Sequence, residues 1–349
     1  MAIVPQLVES PRGQSESLSE RLLDSHDRII TDLRVSITDR CNYKCVYCRT
    51  GQVGAQYAEL TTAEYLRLIR NFVDLGIEKV RLTGGEPLLR KDLLEMVREL
   101  STWRTPAGSP LDIALTTNGH LLENLAKPLK EAGLSRITVS MDAVDQHTFE
   151  RVTRVPGSYE AVVRGIRAAQ QSDLGRVKIN CVLLRGFNDD QIEGFAHFAR
   201  TENAIVRFIE FMPLEEDRLW SPEMVVPLRE IVARLNAVFP IQLLPPNSAS
   251  ETARRYGFTD GIGEIGIIAP VTQAFCGACS RIRLTSDGKI RTCLFSNIEH
   301  DLYTRMKNGA SDRNLRDFIV RTVEQKEARH HIGEPGFLKP SRSMVHIGG

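Results

Sequence analysis

Residues 33–48 read Leu33-Arg34-Val35-Ser36-Ile37-Thr38-Asp39-Arg40-Cys41-Asn42-Tyr43-Lys44-Cys45-Val46-Tyr47-Cys48, a β-branched run passing directly into three closely spaced cysteines. Leu33–Ile37 has the apolar character of a buried strand. The cysteines follow as C-x3-C-x2-C, and thiolates this close suit an iron–sulfur cluster. A cubane with three cysteine ligands keeps one iron open, where a small-molecule amine and carboxylate can coordinate, as at an open catalytic zinc. The alternatives are a structural zinc completed by a distant histidine, or three ordinary core cysteines.

Outward from this stretch a regular alternation continues. Lys79–Thr83, Ile113–Thr117, Arg136–Ser140, Val177–Leu184 and Val206–Met212 read as further buried strands. Between them Thr62–Leu75, Asp92–Leu100, Glu123–Ala132, Tyr159–Gln171 and Asp190–Arg200 carry apolar residues at three- and four-residue spacing. Repeated strand–helix units predict an α/β fold with a parallel sheet and right-handed crossovers, and six such strands predict an incomplete barrel. An amphipathic helix, Leu228–Phe239, precedes Pro245-Pro246-Asn247, which we take as the boundary between a core over 31–245 and a carboxy-terminal α+β domain over 246–349. There Ile282–Leu284 and Ile290–Leu294 flank Ser286-Asp287-Gly288, a hairpin pattern, and a charged helix is expected near Asp312–His330. Residues 1–30 are polar without a sustained period and read as a flexible or loosely packed extension.

A chain of 349 residues has room for one large catalytic domain and a smaller one. Its net charge of +1, with both signs scattered, excludes a general nucleic-acid or anionic-membrane surface, so any phosphate binding must be local. The absence of a basic-then-apolar leader and of a long uncharged apolar run predicts a cytoplasmic protein. In that compartment seven cysteines point to metal or catalytic use.

Polar residues recur where the predicted strands end, the place where parallel barrels gather their chemistry. The second strand runs into Thr83-Gly84-Gly85-Glu86-Pro87, whose glycines let backbone approach a ligand and whose Glu86 can accept from an ammonium. Later strands contribute Thr116-Thr117-Asn118-Gly119, Ser140-Met141-Asp142, Lys178 with Asn180, and Glu210-Phe211-Met212. Arg34, Lys79, Arg81 and Arg207 also fall on strands, and basic residues inside a barrel call for a polyanionic partner. Cys276, Cys279 and Cys293 form a second triad, C-x2-C-x13-C, framing the predicted hairpin; a zinc ribbon is its structural alternative, although a ribbon supplies four ligands and no fourth cysteine is near. Arg281 and Arg283 alternate onto one side of the strand after Cys279. Cys181 reads as core, and His330-His331 as imidazoles at a helix C-terminus.

The first triad, with Tyr47 just before its third cysteine, and the Gly84-Gly85-Glu86-Pro87 loop resemble the motifs of the radical S-adenosylmethionine (SAM) superfamily. Phe275-Cys276-Gly277-Ala278-Cys279-Ser280-Arg281-Ile282-Arg283-Leu284, then Ser286-Asp287-Gly288 and Cys293-Leu294-Phe295, resemble the carboxy-terminal signature of the GTP 3',8-cyclase family. The resemblance reaches from Leu33 to Gly349. It implies an incomplete (β/α)6 barrel of triosephosphate-isomerase type, the radical SAM core, closed by a domain with a second [4Fe-4S] cluster. It implies that Cys41, Cys45 and Cys48 hold the cluster that cleaves SAM, and that Cys276, Cys279 and Cys293 hold the cluster that binds guanine. Tyr47, Gly84, Gly85, Glu86, Ser140 and Met212 are assigned to SAM. Arg34, Lys79, Arg81, Thr116, Lys178, Arg207, Arg281 and Arg283 are assigned to GTP. The double-glycine tail, Gly348 and Gly349, is expected to reach the active site and assist the radical step.

The implied reaction takes hydrogen from C3' of GTP, joins C3' to guanine C8, and ends by reduction to 3',8-cyclo-7,8-dihydro-GTP. An electron donor and a downstream cyclic pyranopterin monophosphate synthase are the implied partners, and a homodimer is compatible with them. The readings from another class are a non-catalytic two-cluster electron carrier and a zinc-stabilised binding module. Both leave the Gly-Gly-Glu-Pro loop and the polar strand ends without a purpose.

Overall fold

The computed structural model describes residues 21–48, 55–215 and 219–348. The first half alternates β1 (Asp32–Ser36), α1 (Thr62–Asp74), β2 (Lys79–Thr83), α2 (Leu93–Ser101), β3 (Asp112–Thr117), α3 (Leu122–Glu131) and β4 (Arg136–Ser140). It continues through α4 (Gln146–Thr153), α5 (Ser158–Gln171), β5 (Lys178–Leu183), α6 (Ile192–Thr201) and β6 (Ile205–Glu210). Strands β1 to β6 pair in sequence order and in parallel. The helices form as their periodicity predicts. In α1, for example, Thr61 caps the first turn, Glu64 closes a capping box, and Tyr65, Leu68, Ile69, Phe72 and Val73 turn inward.

The second half holds α7 (Leu228–Val238), β7 (Ile241–Leu244), β8 (Arg254–Phe258), β9 (Glu264–Ile268), β10 (Arg281–Leu284), β11 (Lys289–Arg291) and β12 (His300–Asp301). Helices α8 (Leu302–Lys307) and α9 (Asp312–Val323) and a last turn, α10 (Met344–Ile347), complete it. Its strands join the same sheet at both edges: β9 lies parallel to β6, and β10 parallel to β1. The order is β12-β11-β10-β1-β2-β3-β4-β5-β6-β9-β8-β7. The six strand–helix units thus carry one extra parallel strand on each side, and β9 and β10 are not neighbours, so the barrel stays open.

Three expectations change here. The Pro245-Pro246-Asn247 break joins β7 to β8, antiparallel neighbours in one continuous sheet, so the sheet itself does not divide there. Helix α9 ends at Val323 rather than near His330, with Glu324 as its C-cap. Residues 21–30 are not a loose extension: Leu22 and Ile30 are buried, Leu23 and Ile29 form an antiparallel bridge, and Arg28 pairs with Asp24 at 2.6 Å. The rest of that extension, residues 1–20, lies outside the described residues.

Candidate functional site

The two glycines after β2 are placed by packing. Gly85 N donates to the Thr38 carbonyl at 2.8 Å and Glu86 N to the Arg40 carbonyl at 2.7 Å, tying this loop to the segment that leads into Cys41. A Cβ on Gly84 would stand 2.3 Å from the Thr38 oxygen, and one on Gly85 2.2 Å from the Arg40 oxygen, so only glycine permits the approach.

Glu86, from the same loop, is held by its neighbours. Its carboxylate is fully buried and accepts from Leu88 N (2.9 Å), Thr117 Oγ1 (2.6 Å) and Asn118 N (2.7 Å). Burial pushes it up to about 7 against those bonds. It joins the β2 and β3 loops to each other. Glu210, at the end of β6, is likewise buried and accepts from Leu228 N, Val271 N and Thr272 N.

Cys41, Cys45 and Cys48 are half-buried thiols that form no disulfide among the described residues, and burial, then the Asp142 charge, push Cys45 up. Tyr47 donates to Asp142 at 2.7 Å, which fixes its ring beside the cysteines. One cavity is bordered by Tyr47, Ser140, Asn180 and Met212, by Arg34, Arg81, Thr116 and Arg207, and by all three cysteines of the second triad. The strands that flank the six on either side both reach it, through Ile268 on β9 and Arg281 and Arg283 on β10.

Among the described residues Arg34, Arg81 and Arg207 make no direct ion pair, and Asp32 is the nearest opposing charge to Arg34 and Arg81. The register sets Arg34 level with Arg81 on one side and Arg283 on the other. Among the described residues Arg81 donates to the hydroxyls of Thr116 (3.2 Å) and Thr138 (3.4 Å), and Arg207 to that of Thr138 (3.3 Å). The Nε atoms of Arg34 and Arg207 and the Asn180 Oδ1 are buried without a partner among the described residues. Burial and neighbouring cations press Arg34 down to about 10, Arg207 to about 9 and Lys178 to about 8. Guanidinium groups stay protonated, so the direction measures how strongly this wall favours an anion. Lys79 differs: it pairs with Asp32 at 2.6 Å at the start of β2 and does not border the cavity, and neither does Lys178.

In the second triad burial opposes ionisation of Cys279, yet Arg281 and Lys326 bring it down to about 7, while burial pushes Cys293 up. Lys326, buried, donates to the Thr292 carbonyl. Among the described residues no three metal-binding side chains converge as they would round a single ion. Both triads offer thiols alone, an all-sulfur donor set that fits a cubane, in which each thiolate holds a different iron. The tail seats Ile347 in an apolar cluster with Leu214, Phe295 and Ile332, and the Gly348 carbonyl accepts from Arg283 Nη1. Gly349 lies outside the described residues. Sequence reading missed Lys326 and placed His330 at a helix end, yet both border the cavity. Neither belongs to a recognisable spacing; the ring of His330 packs edge-on to Phe295 with its Nδ1 without a partner among the described residues.

Residues 35–199 match the family model of the Radical SAM superfamily, and residues 204–332 that described as Molybdenum Cofactor Synthesis C. The fold is shared with solved structures at low identity. Streptococcus suis SuiB bound to S-adenosylmethionine matches with TM-score 0.56 at 14% identity, over 80% of this chain and 65% of that one, so the chain spans just under two thirds of SuiB. Native anSMEcpe with bound AdoMet matches with TM-score 0.57 at 16% identity, over 86% of this chain and 82% of that one. Fold and cysteine motif therefore define a radical SAM protein. The GTP 3',8-cyclase of Syntrophomonas wolfei is 40% identical over 94% of this chain and 100% of its own length, and that of Xanthomonas axonopodis pv. citri 41% over 93% and 98%. The chain belongs to the GTP 3',8-cyclase family.

Proposed function

We propose that this protein converts GTP to 3',8-cyclo-7,8-dihydro-GTP in molybdenum cofactor biosynthesis, using SAM and two [4Fe-4S] clusters. The observation that carries the reading is one cavity lined both by arginines that make no direct ion pair among the described residues and by a cysteine triad. Arg34, Arg81 and Arg207, with Lys178 behind them, supply the charge that a triphosphate neutralises. Arg281 and Arg283 hold the nucleotide near the second triad. In this reading SAM binds at the part of the same cavity lined by Tyr47, Ser140 and Met212. Clusters and SAM, when bound, supply a reductively generated carbon radical; the chain's own residues orient GTP and exclude water from it.

An electron donor and a downstream cyclic pyranopterin monophosphate synthase complete the setting. No helix among the described residues is long and apolar enough to cross a membrane. The test is anaerobic reconstitution with iron and sulfide, followed by product analysis with GTP, SAM and dithionite. Formation of the cyclised dihydro-nucleotide with 5'-deoxyadenosine is expected. A preparation that takes up zinc and never iron, or that cleaves SAM without consuming GTP, refutes the reading.

A further inference from the structure

The turn at residues 22–30 is built around one arginine. Ile30 N donates to the Leu22 carbonyl at 2.8 Å, and Asp27 makes the reversal in left-handed backbone with φ of 59°. Inside it Asp24 accepts from the backbone of His26 (2.9 Å) and Arg28 (3.0 Å) and from Arg28 Nε (2.6 Å). The other end of the guanidinium leaves the turn. Nη1 donates to the carbonyls of Cys276 and Ala328, both at 2.9 Å, and Nη2 to that of Glu327 at 2.7 Å. The two side chains are 6% and 0% exposed, so these bonds are made away from water, where a lost charged donor is costly.

The segments that Arg28 joins frame the second cysteine triad. The Cys276 carbonyl also accepts from Cys279 N at 3.1 Å, closing the turn between two of the thiols. On the other side Lys326 donates to the Thr292 carbonyl, and the Glu327 carboxylate accepts from Thr292 Oγ1 at 2.7 Å, one residue before Cys293. One guanidinium thus holds the Cys276–Cys279 turn and the segment that carries Cys293 in a single network. A planar fork with five donors can serve a carboxylate and three carbonyls together, whereas an ammonium has three donors on one atom.

We propose that Arg28, oriented by Asp24, is the positioning residue for the second cysteine triad, so that the amino-terminal turn sets the spacing of that triad independently of the first. The inference rests on the reading that the second triad holds a cluster, and the test tells the two apart. Full-length protein, anaerobically reconstituted, is exposed to iodoacetamide, and labelled cysteines are mapped by peptide mass spectrometry alongside iron content and 5'-deoxyadenosine release from SAM. In the native protein all six cluster cysteines are expected to be protected. In Arg28→Ala, Cys276, Cys279 and Cys293 should label about tenfold faster or more, as a local opening predicts. Cys41, Cys45 and Cys48 should stay protected, iron should fall from about eight to about four per chain, and SAM cleavage should persist.

Unchanged labelling of the second triad in Arg28→Ala overturns the proposal. If both triads are lost together in that variant, Asp24→Asn decides, because it keeps side-chain size and one acceptor while weakening the hold on Arg28. Labelling confined to the second triad in Asp24→Asn supports the positioning role; protection of both triads, or labelling of both, overturns it. Labelling of Cys276, Cys279 and Cys293 already in the native holoprotein refutes the second cluster itself, and the inference falls with it.

Discussion

Gly348 offers a perturbation whose size follows from the structure. Its backbone has φ of 72°, and a Cβ there would lie 2.7 Å from Thr83 Cγ2 and 3.5 Å from Ser36 Cβ. Gly348→Ala therefore carries a left-handed backbone penalty of about 1–2 kcal/mol. It also forces a methyl against a buried strand end, an overpacking cost of about 1–3 kcal/mol. Together about 2–5 kcal/mol opposes the seated tail, and even the lower figure shifts the balance between seated and displaced tail by about 30-fold. Thr83→Ser removes the opposing methyl and leaves the backbone penalty, so the double variant should recover part of the loss.

The assay is GTP conversion at saturating GTP and SAM, with iron content as control and hydrogen–deuterium exchange of residues 344–348 as a direct view of the tail. Gly348→Ala should lower conversion about tenfold or more and speed exchange of the tail while leaving iron unchanged. Wild-type conversion together with unchanged exchange would refute the argument. No recovery in the Thr83→Ser double variant would assign the whole effect to the backbone.

Cys45→Ala should abolish reductive SAM cleavage, measured as 5'-deoxyadenosine, and wild-type release would contradict the role of the first triad. Cys279→Ala should keep some uncoupled SAM cleavage and lose cyclisation; cyclisation at the native rate would make the second triad structural. Lys178, held down to about 8 by burial and then by Arg207, should regain its proton when a polyphosphate binds. Calorimetry near pH 8.5 in buffers of different ionisation enthalpy should therefore show proton uptake on GTP binding, lost in Lys178→Met, and equal heats in all buffers would count against it. The same shift makes stability rise with pH between about 8 and the unfolded value of 10.5, because there the unfolded lysine holds a proton that the folded one has released.

Much of the core was legible because its signals are local. β-Branched runs such as Ile137-Thr138-Val139 are buried on both faces of a parallel sheet, and helices such as Thr62–Asp74 show one apolar face. The cysteine spacings are local too, as is the Ser286-Asp287-Gly288 turn between β10 and β11. Strands β8 and β9 escaped notice because Arg254-Arg255-Tyr256-Gly257-Phe258 mixes charge with glycine, and its pairing shows only when Arg255 meets Glu264 at 2.8 Å.

By itself, then, the sequence determined the strand–helix order, both thiol triads and the presence of many cations, since each is written within a few residues of chain. Tertiary structure decided which of those groups face a ligand. Glu86 and Glu210 accept from backbone N–H groups, Lys79 pairs with Asp32, and the Nε atoms of Arg34 and Arg207 are left without a hydrogen-bond partner among the described residues. Arg28 reaches Cys276 across 248 residues of chain. The physical reason is the same in each case: what a buried charge does depends on the partners that remain once the chain has folded, and those partners come from segments that no local spacing connects.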